Sequence, residues 1–194
     1  SPYNVAQEIY IDMIPVTDYI TSGVWQIILN PTRVVEGQYD LWLPSENVLN
    51  RGTGFLYPDE EVTLTIPSTA DKVISVGAYD ALTFSYASFS GRGYTWQDER
   101  TKPDLVASGV NVRTTAVGGG MTVVSGTSFA TPFVTGASAL LMEWGIVRGN
   151  DPFLYGEKVK AYLRRGAREL PGFGKYPNRE VGYGRLCLER SLPD

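Results

Sequence analysis

"SGTSFATPFVTGASALLM", residues 125–142, decides the fold. From Phe129 to Trp144 only Thr131, Thr135, Ser138 and Glu143 are polar, so the run is apolar almost all round and predicts a buried helix. Gly136, Ala137, Ser138 and Ala139 are small enough to let another backbone approach. Ser128 then stands at the helix N-terminus, where backbone N–H groups lack intrahelical partners and the dipole favours negative charge. Gly126 permits a tight turn into the helix, and Pro132 is expected in the first turn, where a missing N–H costs little. Two readings compete. Ser125, Thr127 or Ser128 could simply cap the helix. Alternatively Ser128 is a nucleophile whose own N–H stabilises an oxyanion during acyl transfer. The second reading needs a base, and the chain contains no histidine.

Working outward, the flanks differ in period. "KVISVGAY" (72–79) is nearly continuous in apolar residues, as for a parallel strand covered on both faces, and "PDLVASG" (103–109) is a shorter strand of that kind. Downstream, Asp151 and Pro152 suggest the start of a second helix with Tyr155, Val159, Tyr162 and Leu163 on one face. A glycine-rich stretch, 172–184, precedes an expected last strand from Arg185 to Leu188. Residues 1–66 alternate instead, in "EIYIDMI", "VWQIIL", "YDLWL" and "EVTLTI", which predicts antiparallel strands buried on one face. The fold class expected is therefore α/β, with an antiparallel β segment before a parallel sheet.

Composition narrows the function. The chain has 194 residues, a net charge of −4 and no lysine or arginine run, which argues against nucleic acid or an anionic membrane as partner. The longest apolar run is broken by polar residues, so no membrane span is expected. One cysteine, Cys187, excludes an intrachain disulfide, and without histidine a zinc site is not expected. No cofactor is implied. The chain opens Ser1-Pro2-Tyr3, which suggests a piece of a longer polypeptide.

The serine segment closely resembles the nucleophile segment of the subtilisin-like serine proteases, Gly-Thr-Ser-x-Ala-x-Pro at the start of the central helix. "VISVGAYD" (73–80), "ASFSGRG" (87–93), "KPDLVASGVNV" (102–112) and "VGYGRLCL" (181–188) resemble further segments of that family, in its order. The resemblance implies a serine endopeptidase acting through an acyl-enzyme on Ser128. It implies that the Ser128 N–H is half of the oxyanion hole, that Ser125 lies beside the scissile bond, and that Thr127 shapes the site from behind. The triad Asp and His and the oxyanion asparagine would come from an N-terminal half with no match here, so the fragment alone is expected to be inactive. Three positions depart from the family pattern: Ser108 stands for proline, Phe129 for methionine and Phe133 for histidine.

"GVWQIIL…GQYDLWLP…TLTIPSTADKVISVGAYD", within 23–80, is similar to the end of the jelly-roll β-domain inserted in subtilisin-like proteases of spore-forming clostridia, including the spore-germination group, and to the return to the catalytic domain. "EWGIVRGNDPFLYGEKVKAYLRRGAR" (143–168) and "PNREVGYGRLCL" (177–188) also resemble this group. This implies a β-sandwich insertion over 1–66 and the C-terminal half of a catalytic domain over 67–194. It also implies a secreted or spore-associated setting in a bacterium. Expected partners are a polypeptide substrate and the N-terminal half of the same protease, with self-association of the fragment through exposed sheet. A regulatory pseudoprotease scaffold is the alternative, because relatives in that group sometimes lose triad residues.

Other residues read as structural. A Ser–Lys dyad using Lys72 or Lys102 would need burial of the lysine, and "ERTKPD" suggests a solvated loop. Arg92 is expected to be an exposed turn residue, and Lys158, Lys160, Arg164, Arg165 and Arg168 a solvated basic face. Trp42 and Trp144 are expected in a core or interface, and Asp98 with Glu99 in a surface loop.

Overall fold

The structure is a computed structural model that describes residues 8–35, 37, 39–44, 48–94 and 100–193. It divides into two compact units, Ser1–Gly54 and Phe55–Asp194. In the first unit the described residues form no strand, and Ile9, Ile11, Trp25, Ile27 and Leu41 are exposed. Alternation marks the face a strand would bury, but a strand forms only where a neighbour takes its N–H and C=O groups. The β-sandwich expected there is thus absent among the described residues. Trp42, expected to be covered, is exposed. "EVTLTI" belongs to the second unit, where Thr63 N–H donates to Arg92 O at 3.0 Å and Arg92 N–H to Thr63 Oγ1 at 3.0 Å. This link carries the unit boundary upstream of the expected Pro67.

The second unit is built on β1 (Val76–Asp80) and β5 (Leu105–Ser108), which pair in parallel from Val76↔Leu105 to Tyr79↔Ser108. The apolar runs at 72–79 and 103–109 predict two parallel-type strands, and the structure makes them neighbours. β2 (Ser85–Tyr86) adds antiparallel to β1, giving the order β2-β1-β5. Two ribbons complete the strands: β3 (Gly93–Tyr94) with β4 (Thr101–Lys102), and β6 (Val112–Thr115) with β7 (Met121–Val124). The helices are α1 (Thr127–Met142), α2 (Gly156–Gly166) and α3 (Leu188–Ser191). The expected last strand is reduced to isolated bridges at Arg185, parallel to Val106 and antiparallel to Arg168, before α3 begins.

Residue alternation along the two paired strands assigns each face its layer. Ala78, Leu105 and Ala107 meet Ala130, Val134, Ala137 and Leu141 of α1 and Val159 and Leu163 of α2. Tyr79 and Val106 point the other way, to Leu170 and Val181. Leu105, Leu141 and Leu163 are fully buried, each stabilising the fold by about 2–3 kcal/mol relative to exposure.

α1 differs from its expected form in two ways. It starts two residues earlier, and it is buried on one face only: Phe133, Leu140 and Met142 are exposed. It continues as a π-helical turn, Glu143–Val147. The combined stretch Thr127–Val147 is long and apolar enough to cross a membrane by length and composition, as core helices of globular domains also are.

Asp151 does not cap α2, whose N-cap is Tyr155. Its carboxylate accepts from Lys158 Nζ and, at 2.9 Å, from Tyr162 Oη. The Lys158 bond holds the Asp151 carboxyl below its ordinary range, and the same pairing raises Lys158. The same side-chain knot ties the loop before α2 to the helix itself.

Candidate active site

β7 runs through Ser125 and Gly126 directly into α1. Gly126 is the N-cap at φ 152°, ψ 157°, a conformation that favours glycine. Its N–H donates to Gly109 O at 2.8 Å, at the C-terminal end of β5. Gly109 must itself be glycine, because a Cβ there would lie 2.5 Å from Ala78 Cβ and 3.0 Å from Gly126 O. Ser125 Oγ accepts from Asn111 N–H at 2.9 Å. Two parallel strands thus fix the turn that presents the serine.

The capping reading fails on the geometry, since α1 has no side-chain cap. Phe129 N–H and Ala130 N–H both reach Gly126 O, at 3.1 and 3.3 Å. Among the described residues the Ser128 N–H and hydroxyl have no hydrogen-bond partner, and Ser128 is exposed. No acidic residue stands in the first turn to offset the positive helix end. An exposed hydroxyl beside an unspent N–H at that end suits attack on a carbonyl carbon and stabilisation of the resulting oxyanion.

Pro132 is not in the first turn as expected. Because α1 begins at Thr127, Pro132 lies in the second turn and removes the N–H that would otherwise bond Ser128 O. Thr131 Oγ1 donates to Thr127 O at 3.0 Å, on the neighbouring carbonyl. Phe129 is half-buried, with its ring against the position of a Gly126 Cβ at 3.4 Å, and Phe133 is half-exposed. Ser108, where the family pattern has proline, takes its place in β5.

The lysines do not serve Ser128. Lys102, expected in a solvated loop, is 1% exposed and donates to Val73 O at 3.0 Å and Asp104 Oδ2 at 3.1 Å. Lys72 is exposed, 3.8 Å from Glu157. Nor is α2 a free basic face. Arg164 Nε donates to the fully buried Asp104 Oδ1 at 2.9 Å, and Lys160 Nζ lies 3.4 Å from the same oxygen. Lys160 also donates to Asp71 O and Val73 O, at 2.7 and 2.9 Å, and burial pushes its pKa down to about 8. Arg165 stacks over Tyr162 at 5.3 Å, and Arg168 lies 3.3 Å from Glu189.

This knot at Asp104 was not foreseen. Its signal was Lys102 and Asp104 standing against an apolar strand, where unpaired charges would be costly. Arg92 is likewise no free turn residue; it is largely buried and paired with Glu60. Trp144 packs edge-on against Tyr162, with ring centroids 6.4 Å apart. Asp98 and Glu99 lie outside the described residues. Among those described, no group of His, Cys, Asp or Glu could hold a metal ion.

The sequence profile of the subtilase family matches residues 56–184, which include β1, β5 and the Ser128 turn. The chain belongs to the subtilase family. It is 39% identical over 134 residues to the membrane-bound transcription factor site-1 protease of Mus musculus, which covers 66% of this chain and 12% of that protein. To the serine protease AprX of Bacillus subtilis it is 33% identical over 156 residues, covering 70% of this chain and 33% of that one. Among solved structures, the CspB protease of Clostridium perfringens superposes with a TM-score of 0.70 at 50% identity, covering 74% of this chain and 30% of that one. The chain thus spans about a third or less of these relatives' length.

Proposed function

We propose that this chain supplies the nucleophile of a subtilase serine endopeptidase that cleaves polypeptides through an acyl-enzyme on Ser128. One observation carries the reading: an exposed Ser128 at the positive end of α1, its N–H and hydroxyl unspent, on a turn locked by Gly109 and Gly126. Ser128 Oγ attacks the scissile carbonyl carbon while a base takes its proton. The carbonyl oxygen, now negative, is held by the Ser128 N–H. The amine leaves with a proton, and water then releases the acyl group. Thr127 and Ser125 flank the reacting bond, with Ser125 oriented by Asn111.

The chain has no histidine, so the base, its orienting aspartate and the side-chain half of the oxyanion hole come from elsewhere in a longer protease. The partner is then an N-terminal half that covers the exposed face of α1 and the alternating segments of residues 8–54, which would pair there as part of a jelly-roll domain. Alone, the chain would be inactive and prone to self-association. Neither nucleic acid nor membrane enters this reading, and no cofactor is needed.

The test is fluorophosphonate labelling of the complete protein, with the label located by mass spectrometry. Labelling at Ser128, lost together with peptide hydrolysis in Ser128→Ala, is expected; truncating the nucleophile of a serine protease costs about 10⁶ in kcat. The missing histidine also favours a second reading, a pseudoprotease scaffold. Absence of labelling in the folded, mature protein would select it.

A further inference from the structure

The β6–β7 ribbon runs straight into the site, and one of its faces packs against none of the described residues. Side chains alternate across a strand, and the register pairs Arg113↔Val123 and Thr115↔Met121. These four residues share one face, and all are exposed. On the other face Val112, Thr114 and Val124 are partly buried, and Thr122 is exposed. Neither strand has a second neighbour among the described residues.

Charge singles out this face further. The second unit's cations are mostly spent on carboxylates, as at Asp104, Asp151, Glu60 and Glu189. Arg113 makes no ion pair among the described residues, and no acidic residue lies between Asn111 and Ser128. It is an isolated positive charge on a chain of net charge −4, flanked by the apolar Met121 and Val123. A methionine beside a valine accepts varied apolar side chains.

We propose that the outward face of the ribbon, Arg113 with Thr115, Met121 and Val123, docks an extended stretch of substrate polypeptide bearing an acidic side chain next to apolar ones. This rests on the reading of Ser128 as the nucleophile and names the substrate class for that site. Val123 is five positions before Ser128, with the chain turning at Gly126 into α1, so at about 3.3 Å per extended residue the acidic side chain falls roughly three to five substrate residues from the scissile bond. An exposed ion pair of this kind changes affinity by about two- to fivefold.

The test uses the complete protein carrying Ser128→Ala and two fluorescent peptides that differ only in Glu or Lys at that distance from the scissile bond. Fluorescence anisotropy should show the Glu peptide binding several-fold tighter. Adding Arg113→Glu should invert the ratio of the two affinities, and Arg113→Lys should keep its sense. A folding defect would weaken both peptides alike, so the ratio isolates the charge. A ratio that Arg113→Glu leaves unchanged would overturn the proposal. Binding needs no reactive serine. An inverted ratio here, together with no fluorophosphonate labelling of the protein that retains Ser128, would therefore leave the docking face standing and remove the nucleophile.

Discussion

The two ends of β5 make opposite use of polar groups. At its start, Asp104 is fully buried and its oxygens are taken by Lys102, Arg164, Lys160 and the Ser75 N–H, the last at 2.6 Å. Past its far end, Gly109 receives Gly126, and the turn so fixed leaves the Ser128 N–H and hydroxyl unspent and exposed. Saturation at one end joins the lead-in to β1, the strand and α2 into one body. Incomplete saturation at the other leaves donors free for the substrate carbonyl of the proposed reaction. Perturbed charges belong to the structural end here, so a shifted pKa by itself would have pointed to the wrong place.

The largest effect expected from breaking this contrast is at Asp104. Asp104→Ala would leave three buried or half-buried cations without their shared counter-ion, a loss of about 3–5 kcal/mol. Hydrogen exchange of the β5 amides in the complete protein should report it. A loss below about 1 kcal/mol would show that the cations find other partners and that the knot does not join the elements.

Gly109→Ala sharpens the contrast, because Gly109 belongs to the strand and to the site. The new methyl would meet Ala78 Cβ at 2.5 Å, on backbone-anchored atoms that cannot swing away. Overpacking of this kind costs about 1–3 kcal/mol. The same displacement moves Gly126, so the labelling rate at Ser128 should fall by more than the lost stability explains. An unaltered labelling rate in a destabilised variant would separate the strand from the site.

What the sequence made legible follows from how local each signal is. Val76–Asp80 and Leu105–Ser108 were readable because strands covered on both faces are apolar throughout. The turn of Gly, Thr and Ser before an apolar run put Ser128 at a helix N-terminus, where α1 has it; its role as a nucleophile was implied only by the family resemblance. Where partners are distant, reading failed. Lys102, Asp104, Lys160 and Arg164 meet across up to 62 positions and looked like solvent-facing charges. The alternating segments in residues 8–54 state which face a strand would bury and nothing about who supplies its hydrogen bonds, so their pattern outran the structure. Asp151 was misread because a carboxylate before a helix suits a cap and a lysine partner equally well.

The smallest effect is a pH dependence set at the saturated end. Nζ of Lys160 is surrounded by Asp71 O, Val73 O and Asp104, which favour the ammonium, while burial and the positive Lys102 and Arg164 oppose it. Burial is the larger influence, and the pKa falls from 10.5 to about 8. Between these values the unfolded chain keeps a proton that the folded chain has shed. Stability should therefore rise with pH across that window and stay level, as far as this group decides it, just below 8. The expected gain is on the order of 2 kcal/mol. Lys160→Met carries no titrating amine and should flatten the rise in urea unfolding followed from pH 7.5 to 10. A fall over the same window would mean that the three acceptors outweigh burial. The knot would then depend on a charged Lys160, and its amine would be a stabilising clasp between α2 and the lead-in to β1.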